Sequence, residues 1–213
     1  MKVLAVGAAK GGVGKTTTSL YLAARAAEML GSTRERPLVA LIDRDESKNL
    51  TMLWKRRADL RRPDIVLWSD SDLPPDDAGF QFVVIDTPPG LSAIPSLREA
   101  ALVLVPTVPE DQGVNNLINY LHLIDVQRLA ASPQMRLVAV LPTIVKRRTL
   151  HQVRLEEIKR IAAMQKPPLL VLPSVPDRAR IALPDLTAPE YDTPIKELFR
   201  YAEILDPSPA EYS

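Results

Sequence analysis

The octapeptide Lys10–Thr17, KGGVGKTT, gathers three glycines, two lysines and two threonines shortly after the apolar run Val3–Val6. Such a composition suits a phosphate cradle. Gly11, Gly12 and Gly14 let the backbone fold tightly, so that its N–H groups and the N-terminus of a following helix face an anion. Lys15 is placed to meet β- and γ-phosphates, and the Thr16 hydroxyl to ligate Mg²⁺; Val13 and Thr17 complete the candidate nucleotide-contact run. The strict pattern G-x-x-x-x-G-K-[ST] wants glycine at position 9, where this chain has Ala9 followed by Lys10. A second ammonium near a triphosphate offsets charge that one lysine leaves unbalanced. Supplied by a partner, it would tie nucleotide binding to dimerisation. A solvated loop lysine is the plain alternative.

Two further segments place carboxylates at the ends of apolar runs: ALIDRDESKNLT (Ala40–Thr51), with Asp43 and Asp45, and FVVIDTPPG (Phe82–Gly90), with Asp86. Carboxylates leaving a buried strand beside phosphates can serve a divalent cation, which wants oxygen ligands, and can accept a proton from water. Basic residues gather twice. Lys146, Arg147, Arg148, Arg154, Lys159 and Arg160 stand against Glu156 and Glu157, and Lys55, Arg56, Arg57, Arg61 and Arg62 surround Asp59. These clusters can track a phosphate backbone, with a solvated helical face as the bland reading. Aromatic residues make up 5% of the chain, too few for a stacking platform, so duplex binding fits better than single-strand binding.

The elements that must position these residues are legible in the apolar pattern. Runs rich in Val, Ile and Leu at Val3–Val6, Leu38–Ile42, Phe82–Ile85, Leu102–Val105, Leu137–Leu141 and Leu169–Leu172 lack polar alternation and read as buried strands, with a short edge strand at Ile65–Leu67. Helical period runs through Thr16–Leu30, closed by Gly31, and through Leu50–Arg61, Val114–Ala131, Leu150–Met164 and Ile195–Leu205. The alternation predicts an α/β doubly wound fold, its sheet mostly parallel and covered by helices on both faces. Several of the 20 prolines follow apolar runs, as Pro88, Pro106, Pro142 and Pro173 do, and read as strand terminators.

At 213 residues and 46% hydrophobic content, one domain over 1–205 is expected, followed by a short acidic tail at 206–213. A net charge of +1 announces no polyanionic partner by itself. The absence of cysteine excludes disulfides, thiolate metal sites and cysteine-held iron–sulfur clusters. Met1-Lys2 leads into an apolar run too short for a signal peptide or a membrane span, so a cytoplasmic protein is expected.

KGGVGKTT resembles the deviant phosphate loop of the ParA/MinD family of ATPases, in which the early lysine is a signature. The resemblance extends along most of the chain and implies a P-loop NTPase fold with ATP and Mg²⁺ as cofactors. It implies that Lys10 crosses a nucleotide-sandwich homodimer to the other subunit's phosphates, and that Lys10, Lys15 and Asp45 form the catalytic set. The Ala40–Thr51 segment is similar to the family's D-x-D-P-Q-G-N, which implies that Asp43 supports the Mg²⁺ shell and that Asp45 orients or activates the attacking water. Here Glu46-Ser47-Lys48 replaces the usual Pro-Gln-Gly. Phe82–Gly90 resembles the family's second metal strand and switch, with Asp86 holding Mg²⁺ directly or through water and Gly90 near the γ-phosphate. LVLVPTVPEDQGV resembles a segment packed at the dimer or a higher-order interface, where Asp111 is the candidate, with a plain loop the equal alternative. For adenine the candidates are Pro142, Thr143, Pro176 and Asp177.

The segment pattern is closest to the short ParF-like partition ATPases, with no room for an N-terminal helix-turn-helix domain. It implies a switch that binds duplex DNA non-specifically in its ATP state, through candidates Arg147, Arg148, Arg154 and Arg178, and that associates with the nucleoid. It further implies a ParB-like centromere-binding adaptor that stimulates hydrolysis. The same switch positioning a protein cargo is the nearest rival. A MinD-like membrane switch ranks low because the tail is acidic and proline-containing, so no membrane partner is expected. A dethiobiotin synthetase-like enzyme would not need Lys10.

Overall fold

β1 (Lys2–Val6) is the strand on which everything else is arranged. It is flanked in parallel by β4 (Phe82–Asp86) and β5 (Leu102–Thr107), and the full order is β3-β2-β4-β1-β5-β6-β7. The outer strands are β2 (Val39–Asp43), β3 (Ile65–Trp68), β6 (Leu137–Pro142) and β7 (Leu170–Val171). The structure, a computed structural model, describes residues 1–56, 62–70, 72–130, 137–177, 186 and 188–205. Among these, every strand pairing is parallel, so the expected mostly parallel sheet is wholly so.

Among the described residues six α-helices cover the sheet: α1 (Lys15–Leu30), α2 (Asn49–Arg56), α3 (Ile94–Glu99), α4 (Asp111–Ala130), α5 (Thr149–Met164) and α6 (Pro189–Leu205). Alternate residues of each strand feed two cores, as the two-residue side-chain period requires. Leu4, Val6, Phe82 and Val84 pack with Leu20, Leu22, Leu198 and Phe199 of α1 and α6. Val3, Ala5, Val83 and Ile85 pack on the other face with Leu97, Leu117, Ile124 and Ile158 of α3, α4 and α5. Both faces are therefore dry, which is why the strands read as continuous apolar runs.

Element ends differ from the sequence expectation in a few places. α6 starts at Pro189, ahead of Ile195, and carries Pro194 inside it. α4 starts at Asp111 instead of Val114, and α3 has no counterpart in the sequence reading. Pro106 lies within β5 instead of ending it. The β1 ladder reaches only Leu104, so the missing Pro106 N–H removes no bond on that side. Gly31 closes α1 as expected: at φ 64° it lets its own N–H and that of Ser32 return to the carbonyls of Glu28 and Ala27. The tail at 206–213, and Arg57, Asp59, Arg61 and Arg178, lie outside the described residues.

Candidate nucleotide site

Ligands of open α/β sheets bind beyond the carboxyl ends of the strands, where the strand order reverses. Here that point is the end of β1, and the parallel register assembles the site there. Val6 pairs with Asp86, and Asp86 pairs with Asp43 on the next strand. The glycine-rich loop leaves β1, and the two carboxylates end the strands at its side.

The loop takes the conformation that its glycines permit. Gly12 and Gly14 have φ of 79° and 89°, in the left-handed region that a side chain rarely adopts, and nothing lies within 4 Å of a Cβ built on Gly11 or Gly12. An open concave backbone remains at the N-terminus of α1. Lys15 is 7% exposed at the base of this cradle, whereas Lys10 is exposed and donates from Nζ to Gln112 Oε1 at 3.1 Å. The turn after β4 docks onto the loop. Thr87 N–H donates to the Val6 carbonyl at 3.2 Å, and Gly90 N–H to the Ala8 carbonyl at 3.0 Å.

Asp86 is 1% exposed and accepts from the Thr16 hydroxyl at 2.8 Å and the Ser19 hydroxyl at 3.0 Å. Burial pushes its carboxyl up to about 7; the two hydroxyls and Lys15 oppose that rise, and the charge of Asp43 adds to it. Ser19 went unnoticed in the sequence reading, although its position four residues after Lys15 puts it on the same helical face. Asp43 is 6% exposed, its Oδ2 accepting from Thr51 N–H and Oγ1 at 2.8 Å each and its Oδ1 from Asp45 N–H at 3.1 Å. Asp45 in turn accepts on Oδ1 from Ser47 N–H at 3.0 Å and Oγ at 2.7 Å. Lys48 adopts φ 51° where the related motif has glycine, and its Nζ returns to the Asp43 carbonyl at 2.6 Å.

These residues fit a magnesium–nucleotide pair. Among the described residues no group of three or more His, Cys, Asp or Glu forms a cage for a metal. Mg²⁺ needs none, since it keeps waters and takes one or two carboxylates together with substrate phosphates. Thr16 and Asp86, hydrogen-bonded to one another, could offer such oxygens, with Asp43 beside Asp86 in the strand register.

The other predicted residues are more scattered. Thr143 donates to the Val13 carbonyl at 2.9 Å and so attaches the end of β6 to the loop. Pro176 bridges Val145, and Asp177 N–H donates to the Val145 carbonyl at 2.9 Å, which sets these two adenine candidates alongside the segment that follows the other two, Pro142 at the end of β6 and Thr143. Arg147 and Arg148 are exposed between β6 and α5. Arg154 is bound to Asp111 at 2.6 Å and to Glu157, so its charge and that of Asp111 are mutually engaged. A separate apolar hollow of about 400 Å³, lined by Lys2, Phe80, Phe82 and Phe199, opens at the opposite end of the strands.

Comparisons with known proteins bear on the family and the fold. Residues 4–187 match CbiA, the CobQ/CobB/MinD/ParA nucleotide binding domain. Comparison with curated protein sequences finds no match. Among solved structures, a McdA variant from Cyanothece in complex with ATP superposes with a TM-score of 0.69 at 20% identity, over 95% of this chain and 96% of that one. A plasmid partition protein from Borrelia burgdorferi gives 0.64 at 16% identity over 94% and 98%. Cobyrinic acid a,c-diamide synthase from Mycobacterium smegmatis, with ADP and magnesium, gives 0.67 at 23% over 95% and 96%. At these identities the superpositions speak for the fold. The match over residues 4–187, with a cradle and two carboxylates at the reversal point of its sheet, makes the chain a member of the CobQ/CobB/MinD/ParA family of nucleotide-binding domains.

Proposed function

We propose that the protein is an ATP-dependent dimerising switch that binds duplex DNA without sequence preference in its ATP state and hydrolyses ATP to leave it. The observation that carries this reading is the contrast between its two loop lysines. Lys15 is buried in the cradle, and Lys10, five residues earlier in the same loop, is exposed. An exposed lysine is available to a second subunit, and a charge supplied from there makes closure of the dimer depend on bound nucleotide.

In this reading the backbone of Gly11–Thr17 and the Lys15 ammonium hold the phosphates, and Thr16 and Asp86, with Asp43 behind them, hold Mg²⁺. Bound Mg²⁺ supplies positive charge at the β- and γ-phosphates. Asp45 orients the attacking water, and Pro176 and Asp177 flank the base. Arg147 and Arg148 are exposed, and among the described residues neither makes an ion pair through its side chain. With Arg178 they are the better DNA candidates; Arg154 must first leave Asp111 and Glu157. A basic face of this kind, doubled in a dimer, suits nucleoid association and a partition role, with a ParB-like centromere-binding adaptor as the stimulating partner. No helix among the described residues is long and apolar enough to cross a membrane.

The test is duplex DNA binding by fluorescence anisotropy with ATP, ADP and no nucleotide, across a salt series. Binding confined to ATP and falling steeply with salt is expected. Absence of binding in every state would reject the DNA switch. It would favour a protein-cargo ATPase or a biosynthetic use of the same domain, such as the name of the Mycobacterium structure states for that protein.

A further inference from the structure

The segment between β2 and α2 is largely tied to itself, through Asp43 to Thr51, Asp45 to Ser47, and Lys48 back to the Asp43 carbonyl. Arg44, between the two carboxylates, reaches elsewhere. Its N–H donates to the Asp86 carbonyl at 2.9 Å, and its guanidinium donates to Ser96 Oγ at 3.2 Å and to Glu99 Oε2 at 2.7 Å. The side chain is 11% exposed and forms a wall of a cleft of about 320 Å³, together with Lys48, Pro88, Ser92 and Pro95. Ser96 and Glu99 belong to α3, which follows directly on the turn Gly90–Ala93.

We propose that Arg44 is a positioning residue for the metal side of the site. Its backbone fixes the β2 end to the β4 end, and its planar fork fixes the β2–α2 segment to α3. The carboxylates of both segments, Asp43 and Asp45 on one and Asp86 on the other, thereby keep one relative geometry. A guanidinium suits the task because two of its donors leave in a fixed plane, which an ammonium on a flexible stem cannot reproduce. Groups that orient metal ligands without touching the metal commonly govern affinity and rate, and small misplacements of reacting groups are costly.

The pair is a poor candidate for a purely stabilising role. The Glu99 side chain is 37% exposed, so Glu99→Ala removes the exposed end of the pair at small cost in stability and leaves the bond from Arg44 to the buried Ser96 in place, whereas removing Arg44 takes a donor from Ser96 as well.

The inference rests on the magnesium–nucleotide reading of the site, and the test separates the two. A fluorescent ATP analogue is titrated onto the full chain in EDTA and then with increasing Mg²⁺, using wild type, Arg44→Met, Arg44→Lys and Glu99→Ala. Arg44→Met should bind the analogue in EDTA as wild type does, yet need about tenfold more Mg²⁺ for half-saturation, with a lower kcat. Arg44→Lys should recover only part of this, and Glu99→Ala should reproduce it at the exposed end of the pair, which keeps the test alive if Arg44→Met folds poorly. An unchanged Mg²⁺ requirement in Glu99→Ala, or in a folded Arg44→Met, would overturn the inference while leaving the site reading intact. A wild-type chain that binds no nucleotide would overturn both.

Discussion

Lys10 Nζ donates a 3.1 Å hydrogen bond to Gln112 Oε1, joining the phosphate loop to the first turn of α4. The bond is exposed, so it contributes about 1 kcal/mol at most and does not prevent Lys10 from turning toward a second subunit. Lys10→Ala should therefore keep nucleotide binding and the melting temperature, yet lose the ATP-dependent dimer in sedimentation velocity. Lys15→Ala, which removes the ammonium at the base of the cradle, should lose nucleotide binding itself. An ATP dimer that persists in Lys10→Ala would remove the role across the interface.

Asp86 gives the metal-free protein a pH dependence of definite sign. Its folded value of about 7 lies above the ordinary carboxylate value of 3.8, so the folded chain holds a proton that the unfolded chain has released. Its contribution to stability is complete below about pH 4 and is lost as pH rises through about 7, on the order of a few kcal/mol. Asp86→Asn should flatten the dependence of the melting temperature between pH 4 and 8 in EDTA. Parallel curves for the two proteins would show that burial does not hold the proton on Asp86.

Much of this arrangement was legible in the sequence, and the remainder was hidden for physical reasons. Period and composition identify the strands because both faces of the sheet are buried, and the loop because phosphate binding demands glycine at fixed spacing. α3 was invisible since its six residues, with proline at the second position, are too short to establish a helical period of their own. Partnerships across the fold were hidden as well. Nothing local to Arg154 announces that Asp111 neutralises it, and nothing local to Arg44 announces Glu99. Those pairs depend on which helices neighbour one another, a property of strand order that hydrophobic pattern does not encode.

Asp45 serves two readings that a variant separates. Its Oδ1 is already engaged by Ser47 N–H and Oγ, the geometry of a local turn, while the proposed role has it orient water. If it only holds the turn, Asp45→Ala should cost about 1 kcal/mol and leave turnover normal. The expected outcome is different: near-wild-type stability loss of that size together with a hydrolysis rate reduced by about 100-fold or more, and an ATP dimer that stays on DNA. Ser47→Ala is the control, since it disturbs the turn while leaving the carboxylate; it should turn over ATP within a few-fold of wild type. Equal loss of turnover in the two variants would assign the effect to the loop's shape.

Gly7, the first residue past β1, is required by a close approach and not by its backbone angles. A Cβ there would lie 2.1 Å from the Tyr120 hydroxyl oxygen and 3.0 Å from Tyr120 Cζ, with Thr87 Oγ1 at 3.3 Å. Tyr120 is 1% exposed on α4, packed against the sheet with Leu117 and Ile124, so it cannot swing out to make room. Gly7→Ala should destabilise the protein by about 1–3 kcal/mol through overpacking, and should weaken nucleotide binding because the strain falls at the root of the loop. Removing only the offending oxygen tests the cause. Tyr120→Phe in the Gly7→Ala background should recover part of the loss, with the ring carbon still close, whereas Tyr120→Phe alone should not stabilise. A double variant no more stable than Gly7→Ala would mean that the loop's root is sensitive to something other than this contact.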